Sequence, residues 1–210
     1  MGKARTSKSK QWMRRHVNDA YVQKAQREGF RSRASYKLKE IATRDGLLKP
    51  GHVVVDLGAT PGGWSQVAAQ AVGARGKVLA IDLVPMEPLH GVEFVLGDFQ
   101  DDAVAQALAA RLGGRKADLV LSDMAPNMSG IASADQARMI GLAELALLFA
   151  VENLQPEGVF LVKTFHGAGF DAFFRAMQQQ FQRVVTRKPE ASRSGSRETY
   201  LLGRGLKPVV

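Results

Sequence analysis

The stretch Val53-Val54-Val55-Asp56-Leu57-Gly58-Ala59-Thr60-Pro61-Gly62-Gly63-Trp64 decides the fold. Four apolar residues broken only by Asp56 predict a buried strand over 52–57. A glycine-rich turn follows, and a helical pattern then begins over 64–73. Strand, glycine turn and helix in that order is how an open α/β sheet presents a nucleotide-like ligand at the carboxyl edge of its strands. Glycines in such a turn let a ligand approach the backbone, because no Cβ intervenes.

Two familiar versions of this turn do not match. The dinucleotide fingerprint requires G-x-G-x-x-G, whereas Gly58 and Gly62 are separated by three residues. The phosphate-gripping loop requires a Lys where Trp64 stands, and no Lys occurs between residues 50 and 76. A loop without that cation points to a ligand without a triphosphate. Asp56, Asp82 and Asp98 lie near three predicted strand ends. Acids there repel pyrophosphate but suit ribose hydroxyls, an adenine amino group or a sulfonium. S-adenosylmethionine carries all three.

The rest of the chain repeats the strand–helix unit. Strands are predicted at 77–82, 92–96, 117–122, 157–163, and near 182–187 and 198–203. Helices are predicted at 12–27, 34–45, after Asp101-Asp102, over about 135–154, and along Phe170, Phe173, Phe174, Met177 and Phe181, whose spacing is that of one helix face. Alternating units imply an α/β, Rossmann-like fold: a mostly parallel seven-stranded sheet with helices on both faces. The last two strands have no helix between them, so they should form an antiparallel edge hairpin. Residues 1–11 are polar, basic and Ser-rich and are expected to be disordered.

With 210 residues and 45% hydrophobic content, one domain with a substantial core is expected. We divide the chain into a basic N-terminal arm, 1–30, and a single domain, 31–210. Cysteine is absent, which excludes disulfides and thiolate metal sites and suits a reducing, cytoplasmic setting. The four His are too scattered to suggest a metal site, so none is expected. No apolar run reaches the roughly 18 residues of a membrane span, and the basic N-terminus lacks the apolar segment of a secretory signal.

Charge is concentrated. Residues 1–44 hold 13 Lys/Arg against 3 acids, while the other 166 hold 16 against 17. Such an arm attracts a phosphate backbone irrespective of sequence. Trp12, Tyr21, Phe30 and Tyr36 are interleaved with it and can stack on unpaired bases. A second basic cluster comprises Arg183, Arg187, Lys188, Arg193, Arg197, Arg204 and Lys207.

Polar residues recur where ligands of such sheets bind: Asp56 with the glycine turn, Asp82, Asp98, Asp123 in Ser-Asp-Met-Ala-Pro-Asn, and Lys163 in Val-Lys-Thr-Phe. A single strand-end Asp is usually a turn former; five polar groups at one edge make a site. Lys163 stands out because its neighbours, Phe160, Leu161, Val162 and Phe165, make an unpaired charge costly to bury.

The segments Arg31-Ser-Arg-Ala-Ser-Tyr-Lys37-Leu-Lys-Glu, Asp56-Leu-Gly-Ala-Thr-Pro-Gly-Gly-Trp64, Ser122-Asp123-Met-Ala-Pro-Asn-Met-Ser-Gly130, Val162-Lys163-Thr-Phe and Ser196-Arg-Glu198-Thr-Tyr200 together resemble the FtsJ-type RNA 2′-O-methyltransferases. The resemblance covers nearly the whole chain. It departs at Thr60, where Ala is usual, and at Ser35-Tyr36, where an aromatic pair is commoner. It implies a catalytic tetrad of Lys37, Asp123, Lys163 and Glu198. It also implies S-adenosylmethionine as cofactor, with Gly62, Trp64, Asp82, Asp98 and Asp123 touching it beside Asp56, Gly58 and Gly63 of the same turn. The implied substrate is a uridine ribose in the aminoacyl-tRNA-binding loop of 23S rRNA, presented within the large ribosomal subunit to a monomeric enzyme.

The reaction implied is attack of a ribose 2′-oxygen on a sulfonium methyl, for which the protein mainly aligns reactants and manages one proton. Two roles stay open for Lys163: proton acceptor, or charged group that orients the hydroxyl and stabilises oxyanion character. Other readings are a 2′-O-methyltransferase of tRNA, messenger caps or another RNA, an assembly factor that binds RNA without catalysis, and an NAD-linked enzyme. The glycine spacing counts against the last.

Overall fold

The computed structural model describes residues 19–193 and 195–208. The expected disorder of 1–11 and the first part of the helix expected at 12–27 lie outside the described residues. The remainder of that helix is α1, Ala20–Glu28, capped by Asp19, whose carboxylate accepts from the Tyr21 amide, and closed by left-handed Gly29. α2 spans Ala34–Asp45, as expected.

β1 (Val53–Leu57) passes through the glycine turn into α3 (Gly63–Val72). Then follow β2 (Lys77–Asp82), β3 (Val92–Leu96), α4 (Asp102–Ala110), β4 (Ala117–Ser122), α5 (Ala132–Asn153), β5 (Leu154–Phe165), α6 (Phe170–Gln180), β6 (Phe181–Arg187) and β7 (Glu198–Leu206). Asp101 caps α4 by accepting from the Ala103 amide.

The seven strands are ordered β3-β2-β1-β4-β5-β7-β6. β1 to β5 are parallel; β7 runs antiparallel between β5 and β6. The expected antiparallel hairpin therefore closes the sheet, with its second strand on the inside. β5 is longer than expected. It begins directly after α5, and the pairing with β4 shifts register between Ala117 and Leu119 opposite the stretch containing Pro156 and Gly158. Pro cannot donate to the ladder, so an irregularity falls there.

Side-chain alternation sorts the sheet into two cores. Val53, Val55, Leu57, Phe160, Val162 and Leu201 face one side with α4, α5 and α6. Val54, Leu119, Leu121, Val159, Leu161, Tyr200 and Leu202 face the other, with Leu38 and Ile41 of α2 and Trp64 and Val67 of α3. By the same parity Asp56, Asp123, Lys163 and Glu198 belong to the α2/α3 side. The strand order reverses at β1 and β4, and ligands of open sheets bind beside the carboxyl ends at such a point.

Part of the C-terminal basic cluster is spent inside the fold. Arg187 forks onto both oxygens of Asp45 at 2.8 and 2.6 Å, and Arg204 donates to the Asp45 carbonyl. The Arg187 bond holds the Asp45 carboxyl below its ordinary range despite its burial.

Candidate active site

Two ion pairs meet at the carboxyl ends of β4 and β5 and the amino end of β7. Lys163 Nζ lies 3.1 Å from Asp123 Oδ1 and donates to the Asp123 carbonyl at 2.5 Å. Lys37 Nζ, brought in by α2, donates to Glu198 Oε2 at 2.9 Å. Both lysines are buried, at 5% and 8% exposure. An unpaired ammonium at that depth would be strongly destabilising, so each acid is required by its partner. Register explains how residues distant in sequence meet: antiparallel pairing sets Lys163 opposite Tyr200 and Phe165 opposite Glu198.

Tyr200 joins the two pairs. Its hydroxyl donates to Asp123 Oδ1 at 3.0 Å, and Lys37 Nζ lies 5.8 Å from the ring centroid. Burial, reinforced by the negative charges of Asp123 and Glu198, raises the phenol well above its ordinary pKa, so it stays a neutral donor. Sequence alone places Tyr200 in a motif and gives it no role. A Tyr in a strand is unremarkable, and only the hydroxyl's destination reveals its use.

In front of this cluster opens a cavity of about 840 Å³, lined by Gly58, Thr60, Asp82, Asp98 and Asp123 together with the apolar Phe99, Met124 and Leu142. Gly58 has φ +79°, and a Cβ there would lie 2.7 Å from Met124 Cγ, so the turn admits no side chain at that point. Both oxygens of Asp82 accept main-chain amides, Oδ2 from Thr60 and Oδ1 from Val84, each at 2.9 Å. Asp98 accepts the Gln100 amide at 2.9 Å.

Four residues expected at the ligand are not among those lining this cavity. Asp56 is fully buried on the α3 side, where Ser65 Oγ donates to it at 2.6 Å. Trp64 is buried; its indole N–H donates to the Ala34 carbonyl and its ring lies 5.6 Å from that of Tyr200. A Cβ on Gly62 would meet Met86, Leu89 and Arg31, and one on Gly63 would meet Ser32 and Ser35. The glycine pair thus permits α2, its approach and the segment carrying Met86 and Leu89 to pack on the turn.

Asp123 belongs to both features: it lines the cavity, and its carboxylate closes the ion-pair cluster. The cavity and the buried Lys163 therefore share one residue, Asp123.

The profile of the family described as FtsJ-like methyltransferase matches residues 30–206. The chain belongs to that family. FtsJ-like relatives resemble it along nearly its full length. It is 58% identical, over 97% of this chain and 99% of the relative, to "Ribosomal RNA large subunit methyltransferase E" of Dechloromonas aromatica. It is 59% identical, with the same coverage, to the protein of that name from Azoarcus sp. strain BH72. Among solved structures, a Plasmodium falciparum protein assigned as a ribosomal RNA methyltransferase superposes with a TM-score of 0.76 at 29% identity, covering 84% of this chain and 98% of that one. The FtsJ-like assignment bears out the Rossmann-like methyltransferase fold expected from the glycine turn and implies a methyl donor. Among the described residues, no helix is long and apolar enough to cross a membrane.

Proposed function

We propose that this protein transfers a methyl group from S-adenosylmethionine to the 2′-hydroxyl of a uridine ribose in the aminoacyl-tRNA-binding loop of 23S rRNA, within the large ribosomal subunit. The observation that carries the reading is the shared Asp123, which sets a ligand cavity against a buried Lys–Asp pair. The relatives named for large-subunit RNA supply the substrate, and the basic arm 1–30 supplies attraction to its backbone. The same proposal has the enzyme acting as a monomer in the cytoplasm.

The cavity suits the donor. Its volume lies within the range of small-molecule sites, about 300–1,000 Å³. Its carboxylates, Asp82, Asp98 and Asp123, match ribose hydroxyls, an amino group and a cation, and the bare backbone at Gly58 allows close approach. Asp56, Gly62, Gly63 and Trp64 serve this site from behind. When bound, S-adenosylmethionine supplies an electrophilic methyl.

The protein's part is orientation and charge. Lys163 spends two of its three N–H bonds on Asp123, which leaves one for an entering 2′-oxygen. That geometry favours Lys163 as a charged group that aligns the hydroxyl and stabilises negative charge as it develops, with the ribose proton leaving late to water. Tyr200 fixes the same carboxylate oxygen, so Asp123 cannot swing away as substrate enters. The Lys37–Glu198 pair adds a second cation beside the Tyr200 ring.

The test is transfer of labelled methyl from S-adenosylmethionine to large subunits lacking the modification, with naked rRNA and tRNA alongside and Lys163→Ala as control. Incorporation at one alkali-resistant ribose, abolished in the variant, is expected. Preference for tRNA would move the substrate. Cofactor binding without transfer to any RNA would leave an assembly factor.

A further inference from the structure

Arg31 belongs by charge with the residues of an RNA-facing surface, yet its guanidinium is folded down onto main-chain carbonyls of the protein's own surface. Nη1 donates to the carbonyls of Glu87 at 2.5 Å and Pro61 at 3.3 Å, and Nη2 donates to the carbonyl of Pro88 at 2.7 Å. These acceptors come from two separate segments. Pro61 belongs to the glycine turn, and Glu87 and Pro88 to the 83–90 segment after β2, which has no regular secondary structure. Both segments border the cavity, through Gly58 and Thr60 on one side and Asp82 and Leu83 on the other.

The backbone at Arg31 is itself pinned to α3. Gln66 accepts from the Arg31 amide at 3.1 Å and donates to the Gly29 carbonyl at 2.8 Å. The Arg31 stem then lies against Gly62, where a Cβ would come within 3.2 Å of Cδ. On the cavity side, Thr60 Oγ1 donates to the Val84 carbonyl at 2.7 Å, joining the same two segments. The segment bearing Asp82 is thus strapped from outside by Arg31 and latched from inside by Thr60.

We propose that Arg31 is a positioning residue for the methyl-donor cavity: it holds the 83–90 segment against the glycine turn and so fixes Asp82. The inference rests on the cavity being the S-adenosylmethionine site. A guanidinium can reach three carbonyls in a fixed fork, which an ammonium cannot reproduce, so Lys would not substitute.

S-adenosylhomocysteine binding by calorimetry to the full-length wild type, Arg31→Lys and Arg31→Ala tests it, with RNA affinity measured over a salt series. Both variants are expected to bind about tenfold more weakly, about 1.4 kcal/mol. The KM for the methyl donor should rise in proportion, with kcat at saturation retained. The salt slope for RNA should stay that of wild type, where removal of one phosphate interaction would lower it by about 0.7. Arg31→Lys keeps the charge and guards against misfolding of the Ala variant. Unchanged cofactor affinity in both variants overturns the inference, whatever the slope does. A wild type that does not bind S-adenosylhomocysteine would instead remove the reading of the cavity.

Discussion

Asp56 is a carboxylate sealed behind the site, with Ser65 on Oδ2 and, among the described residues, no partner for Oδ1. Burial above all, with Asp123 and Asp82 adding negative charge against the opposing Ser65 bond, pushes its pKa up to about 7. The folded chain thus keeps a proton that the unfolded chain releases above about pH 4, and stability falls as pH rises from about 4 to about 7. The full contribution is on the order of 4 kcal/mol. Asp56→Asn should remove it, so the variant's unfolding free energy in urea should gain on the wild type between about pH 4 and pH 7 and then level off; a constant difference would refute the assignment. Tyr200→Phe keeps the ring and deletes the bond to Asp123. Methyl transfer in a single turnover should slow roughly 10- to 100-fold, the equivalent of one bond to a charged group, and Tm should fall by several degrees, about 2–4 °C for each kcal/mol lost. At this scale the sequence speaks through anomalies. Lys163 is conspicuous because charge is rare among Phe, Leu and Val, whereas the Tyr200 hydroxyl and the Trp64 indole are silent because aromatics belong in strands and cores.

β7 carries more of the site than any other element, since Glu198 and Tyr200 both lie on it and it bridges β5 and β6. Its fit depends on Gly203, where a Cβ would sit 2.6 Å from the Phe181 ring. Gly203→Ala should destabilise the protein by about 1–3 kcal/mol through overpacking, seen as a lower midpoint in thermal unfolding. An unchanged midpoint would mean that Phe181 has room to move. α5 steadies the opposite side: Asp135 accepts the amides of Ser129 and Gly130 and the Ser129 hydroxyl, which fixes the loop leading from Asp123. The Ser129 hydroxyl bond holds the Asp135 carboxyl below its ordinary range. Element types and order were legible because period-2 and period-3.6 patterns alternate cleanly. The start of β5 was not, because α5 runs into it with no turn residues between, and only pairing with β4 defines where extended structure begins. The insertion of β7 inside β6 is a matter of pairing partners, which hydrophobic pattern does not encode.

Charge is a property of the whole chain and is distributed unevenly along it. Residues 1–18 hold six Lys/Arg and no acid. Removing them should weaken RNA binding and lower the salt slope by up to about 4, at about 0.7 for each phosphate no longer neutralised, while S-adenosylhomocysteine still binds. A slope equal to the full-length value, in filter binding across a KCl series, would place the RNA-binding charges elsewhere. The strand order also has a consequence for how the molecule is made. Synthesis runs from the N-terminus, so β1 to β5, with the donor cavity, leave the ribosome before the last strand. Until Glu198–Leu206 emerges, β5 is an open edge, β6 has no neighbour, Lys37 lacks its acid and Asp123 lacks the phenol. On the proposed function, a chain truncated before β7 should still bind S-adenosylhomocysteine but transfer no methyl, and its open β5 edge should pair with other edges. On that reading, it is the completion of translation that arms the site.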